Sequence, residues 1–174
     1  MADTKDLEAR IKALEQKVAV TEDIEAIKRL KHKYFRCLDS KLWDELAQCF
    51  TEDATTSYTD GKYSFRGVEA IIGFLKKGLG ADTVVSMHQG HQPEIDITSE
   101  TTAKGIWTSE AGLIITDRNV STREVNFYYD EYVKIGGQWK IKHTGYKRLF
   151  EEAWDRGETK SLRLMANMFA PRKE

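Results

Sequence analysis

The chain lacks most of the features that would sort it at once. No stretch of basic residues stands out: 27 Lys and Arg nearly cancel 28 Asp and Glu over 174 residues. A nucleic-acid partner therefore has no electrostatic footprint, and a small molecule or another protein is the better expectation. No apolar run is long enough to span a bilayer. The N-terminus, Met1-Ala2-Asp3-Thr4-Lys5-Asp6, is charged and leads into no apolar stretch, so neither signal peptide nor membrane anchor is expected, and the protein is placed in the cytoplasm. Cysteine is scarce. Cys37 and Cys49 lack CxxC spacing and fall in stretches of helical periodicity, which favours reduced, packed thiols over a disulfide, a zinc site or a nucleophile. Internal repeats and low-complexity blocks are missing too, and the length suits one domain with a sizeable core.

What is present is helical first and β-like later. Leu7, Ile11, Leu14 and Val18 recur at spacings of four, three and four, the seam of a short amphipathic helix; residues 1–20 are read as an N-terminal extension. A second helix is expected from Asp23, with Ile24, Ile27, Leu30, Tyr34, Phe35 and Leu38 on one face, and a third from Lys41 to Phe50 after the polar break Asp39-Ser40. Thr59-Asp60-Gly61-Lys62 is a hairpin cue between short strands, and Val68 to Gly78 reads as another helix. Four long antiparallel strands follow, over residues 84–99, 101–116, 123–135 and 138–150, the last two joined by Gly136-Gly137. This order predicts an α+β fold: a curved antiparallel sheet packed on N-terminal helices around an internal pocket, spanning 21–152, with 153–174 a charged tail that is partly helical or mobile.

Several polar residues need a reason. "SMHQGHQPEI" holds His88 and His91 three positions apart on a strand of period two. They should face opposite sides unless Gly90 bulges, so a shared metal is not expected. Asp39 ends the second helix, where a carboxylate opposes the helix dipole. It either caps the next helix with Ser40 or pairs with a histidine. Tyr34, Tyr58, Trp107, Phe127, Tyr129, Trp139, His143 and Tyr146 supply aromatic surface that is either ordinary core or the wall of a pocket for a flat polycyclic ligand. Arg148 alternates onto the face of Tyr146 and either lends the pocket a positive charge or pairs with Asp39. Glu110 should face away from that pocket.

The segments "DIEAIKRLKHKYFRCLDSKLWDEL", "SMHQGHQPEI", "SETTAKGIW", "GGQWKI" and "TGYKRLFEE" resemble the SnoaL-like family of cone-shaped α+β barrels, which includes scytalone dehydratase, ketosteroid isomerase and hexachlorocyclohexane dehydrochlorinase. Within it, the bile-acid 7α-dehydratase group is most similar, in register from Leu7 to Glu152. The resemblance implies a cofactor-free and metal-free lyase in which His88, Asp39 and Tyr34 are catalytic and Tyr58 and Arg148 bind substrate; Trp107, Tyr129 and Tyr146 of the aromatic wall are the further substrate-binding residues expected. It departs at one position: Ala111 stands where the group carries an aspartate. The implied reaction is loss of water from a 7-hydroxy-3-oxo-4-ene steroid or bile-acid derivative, free or as a coenzyme A thioester, to give a 4,6-diene. Isomerisation, another elimination on a related polycycle, or ligand binding without chemistry are the alternatives, because a fold does not dictate a reaction. The heptad and the family together suggest a homo-oligomer, a homotrimer by family habit.

Overall fold

The computed structural model describes residues 3–170. Its elements, in chain order, are α1 (Thr4–Asp39), α2 (Trp43–Ala47), β1 (Phe50–Tyr58), β2 (Tyr63–Arg66), α3 (Val68–Leu79), β3 (Val84–Ile97), β4 (Thr102–Ile115), β5 (Val120–Ile135) and β6 (Gln138–Asp155).

The two N-terminal helices expected from the sequence are one. Neither glycine nor proline occurs before Gly61, so nothing interrupts the backbone ladder between the two apolar patterns. At Thr21 the side chain bonds back to the Lys17 carbonyl at 3.0 Å and the helix continues. Asp3 caps the start, its carboxylate accepting from the Lys5 N–H. From Asp23 onward α1 packs on the sheet against β3 and β6. Asp23 fastens that junction by accepting from the Trp139 indole N–H at 2.8 Å and pairing with Lys134 at 2.5 Å. The helix expected over 41–50 shrinks to α2, because Lys41 takes a positive φ of 58° and β1 has begun by Phe50.

The six strands form one unclosed sheet in the order β2-β1-β6-β5-β4-β3. β3 to β6 pair antiparallel, as the turn signals predicted; Gly136 and Gly137 both take positive φ and link Ile135 to Gln138 in a two-residue hairpin. β1 is the exception. It is antiparallel to β2 but parallel to β6. Pairing of β5 with β6 skips at Lys142 and Leu149, so each of these adds one residue to β6 and reverses the parity of its faces. The first 170 residues hold no helix in the tail: β6 runs on to Asp155, and beyond it the chain is irregular up to Ala170, where Phe169 lies under the Lys41 ammonium. Among the described residues, no helix is long and apolar enough to cross a membrane.

Candidate active site

A cavity of about 280 Å³ lies between the sheet and the helices. Its floor is aromatic. Tyr34 comes from α1, Tyr58 from β1, Tyr128 from β5 and Tyr146 from β6, with the ring of Tyr146 5.5 Å from Tyr58 and 5.2 Å from Tyr128. The Tyr34 and Tyr58 hydroxyls meet at 3.3 Å. Burial pushes the phenols of Tyr34, Tyr58 and Tyr128 well above their ordinary value. They face the cavity as proton donors.

His88 forms one wall. Its Nδ1 lies 2.6 Å from Asp39 Oδ1, and its backbone N–H donates to Asp39 Oδ2 at 2.7 Å. The Ser86 hydroxyl donates to Oδ1 at 2.8 Å. The acid that opposes the helix dipole is therefore compensated by three donors on β3, and of the two readings of Asp39 the structure shows the pairing with histidine. With Nδ1 so engaged, the ring is held in the tautomer that leaves Nε2 as the basic nitrogen. Orientation is fixed on the flat side as well: the Phe35 ring stacks on His88 with 7° between planes. His91 is exposed, and the bulge in β3 falls after it, between His91 and Glu94. Among the described residues, no three His, Cys, Asp or Glu side chains cluster as a metal site would require.

Across the sheet from His88 runs a single row. His88 pairs with Ala111, Ala111 with Glu124, and Glu124 with Glu151. All four line the cavity. Glu124 thus brings a carboxylate one strand beyond Ala111, where the resemblance implies an aspartate, while Glu110 faces the other side and binds Arg123 at 2.8 Å. Arg148 joins this acidic end, 2.7 Å from Glu124 and bonded to Glu151. It does not pair with Asp39. Its Nε is buried without a protein partner.

Two expected substrate-binding residues lie elsewhere. Trp107 is fully buried and donates its indole N–H to the Tyr132 hydroxyl at 2.9 Å; Tyr129 is 42% exposed on the opposite face of β5. His143 also faces away, with Nδ1 2.7 Å from the Thr55 hydroxyl. Below the floor sits a feature the sequence reading missed. Lys31, 0% exposed, pairs with Asp130 at 2.7 Å and lies 4.0 Å from the Tyr128 ring centroid and 4.8 Å from that of Tyr34. Tyr132 and Thr144 donate to the same carboxylate. Burial draws the Lys31 ammonium below its ordinary value, against the pull of Asp130. The signal was available: Lys31 sits four residues after Ile27 and four before Phe35, within the apolar stripe.

Comparison with known proteins adds the family. The SnoaL-like domain matches residues 19–145. The chain belongs to that family. A presumptive scytalone dehydratase from Novosphingobium aromaticivorans is similar at 26% identity and a TM-score of 0.73, over 91% of this chain and 99% of that one. A hexachlorocyclohexane dehydrochlorinase from Novosphingobium barchaimii shares the fold at 16% identity and a TM-score of 0.74, over 86% and 99%.

Proposed function

We propose that this SnoaL-like protein is a lyase that removes water from a hydroxylated polycyclic ketone, with His88 as the base. The observation that carries this reading is the two-oxygen grip of Asp39 on His88 at 2.6 and 2.7 Å, which leaves Nε2 as the free nitrogen of a cavity-lining imidazole. A carbonyl that conjugates with the resulting carbanion makes a proton on carbon acidic enough for an imidazole to remove. His88 Nε2 takes that proton, and Asp39 stabilises the imidazolium formed. Negative charge moves to the carbonyl oxygen, where the Tyr34 and Tyr58 phenols, kept protonated by burial, donate to it. The C–O bond then breaks, the imidazolium returns its proton to the departing hydroxyl, and water leaves with the enzyme restored. Arg148 Nε–H, unpaired and buried, gains rather than exchanges a bond if the departing oxygen reaches it. No step needs a metal or an organic cofactor. Elimination is also what the names of the two relatives have in common.

The finer proposal for the substrate is a 7-hydroxy-3-oxo-4-ene steroid or bile-acid derivative. The aromatic floor suits flat rings. The cavity lies just below the usual size range for ligand sites, so it takes in the reacting rings and leaves a side chain, free or as a coenzyme A thioester, outside. The test is direct: purified protein is given that steroid as free acid and as thioester, and the 4,6-diene is followed by its near-ultraviolet absorption. Diene formation that His88→Ala abolishes, and that Asp39→Asn lowers on the order of 100-fold or more, supports the reading. Turnover unchanged in both variants ends it.

A further inference from the structure

The two ends of the cavity differ in chemistry. At one, His88 and Asp39 stand beside the phenols; at the other, three strands further along the same row, Arg148 lies between Glu124 and Glu151. One guanidinium between two carboxylates gives that end an excess of negative charge. Both terminal nitrogens of Arg148 are taken, Nη2 by Glu124 at 2.7 Å and Nη1 by Glu151. Each carboxylate uses one oxygen in this contact and keeps the other for a further donor. Asn126 follows Glu124 on the inward face of β5 and is the register partner of Arg148; it is 1% exposed, and its Oδ1 has no partner among the described residues. Acceptors therefore outnumber donors at this end. The donor left over is the buried Nε–H of Arg148.

Resting on the reading of the cavity as a steroid site, we propose that this end selects an uncharged hydroxyl that the substrate keeps, one on ring C, with Glu124 and Glu151 as the residues that decide. A hydroxyl gives its proton to a carboxylate oxygen and offers its lone pairs to the Arg148 Nε–H, so one group answers both demands. A ketone only accepts, and it brings its lone pairs against two carboxylates. A carboxylate adds charge where there is already an excess of it. An ammonium matches the charge but offers Arg148 Nε–H no acceptor and sits beside another cation. A ring carbon bearing hydrogen alone buries these polar atoms without partners. The leaving hydroxyl fits here less well, since it gains negative charge as its bond breaks, which an excess of carboxylate opposes, and it takes its proton from His88. Position points the same way. Glu124 stands two strands from His88 and Glu151 three, roughly 10 and 14 Å at the backbone, so with the abstracted ring-B proton at His88 the group that reaches them is one ring further on. The acidic side chain of a bile-acid derivative is then turned away from the two glutamates.

Binding rather than turnover is the test. Three 3-oxo-4-ene steroids without a 7-hydroxyl, which have no water to lose there, are compared: one with a hydroxyl on ring C, one with a ketone at the same carbon and one with hydrogen only. Dissociation constants are read from quenching of the protein's fluorescence. The hydroxyl compound is expected to bind about 10-fold or more tighter than either of the others. Glu124→Gln puts an amide N–H where only an acceptor stood, so the ketone is expected to draw level with the hydroxyl or overtake it. Glu151→Gln repeats the test at a more exposed residue, and thermal unfolding shows that both variants are folded. Equal affinity for the three compounds, or a preference for the ketone in the unaltered protein, overturns the inference and leaves the elimination reading standing. A preference that neither variant shifts does the same. Binding of none of the three removes the steroid reading and this inference with it.

Discussion

Gly90 and Phe35 are in contact so close that a Cβ on residue 90 would come within 2.6 Å of Phe35 Cε2. The same ring stacks on His88. Gly90→Ala must therefore displace a buried ring or bend β3, at a cost of about 1–3 kcal/mol, and the displacement takes away the surface that orients the imidazole. The expected result is a lower Tm together with a loss of kcat; Phe35→Leu in the Gly90→Ala background relieves the clash and recovers part of the Tm but not the kcat, since the stacking ring is then gone. Thermal unfolding and diene formation measure the two effects; a Gly90→Ala protein with unchanged Tm and kcat contradicts the account.

Glu124 should matter to turnover, although it never touches His88 or Asp39. Glu124→Ala leaves Arg148 with Glu151 alone and removes the carboxylate directly opposite Ala111 on the neighbouring strand. We expect kcat/KM to fall on the order of 10- to 100-fold. Because residues 111 and 124 are directly opposed on neighbouring strands, about 5 Å apart at Cβ, Ala111→Asp placed in the Glu124→Ala background should restore part of the rate. Steady-state kinetics of the single and double variants decide it.

Lys31 and Asp130 form a buried pair whose members are worth little alone. Lys31→Met strands the Asp130 carboxylate among Tyr132 and Thr144, and such an uncompensated charge costs about 3–5 kcal/mol, a large share of a domain's stability. Lys31→Met/Asp130→Asn removes both charges, keeps an acceptor for one of the two hydroxyls and offers the other an N–H, and should be more stable than Lys31→Met. Urea unfolding of the four members of the cycle shows whether the coupling is there.

The tyrosines give a pH window. In the folded chain Tyr34, Tyr58, Tyr128 and Tyr132 have phenols raised well above the ordinary value, chiefly by burial. A raised folded value means stability that is intact below about pH 10 and is lost as pH climbs past it, because the unfolded chain releases its phenolic protons first. Alkaline titration should show these four ionising only together with unfolding, seen as phenolate absorption rising in step with loss of circular dichroism.

Local chemistry made much of this legible. The Gly136-Gly137 hairpin, the Asp-Gly turn, α3 and the three later strand pairs follow from residues within a few positions of each other, and Asp39 was suspicious because its charge sat at the wrong end of a helix. What misled was parity. Aromatic content alone groups His143, Tyr129 and Trp107 with Tyr146, although plain alternation separates His143 from Tyr146; the extra residues Lys142 and Leu149 in β6 then move its inward positions from Ile141 to Thr144 and from Arg148 to Glu151. A bulge has no sequence signature of its own here, so Tyr128 and Glu124 surfaced only with the register. The parallel pairing of β1 was equally hidden, since no local rule links residues 50–58 to 141–145.

That pairing orders the assembly of the molecule. On its β6 side, β1 has no partner until the chain has been made past residue 145, whereas β3 to β6 close through short turns as they emerge. Contacts of long sequence separation form late, because a long loop must be closed before any of them is rewarded. Tyr58 therefore meets Tyr146 only when the hairpin of β1 and β2 docks onto a strand made at the far end of the chain. The site is sealed by the last folding event, and a chain cut short before β6 has no place to hold a substrate.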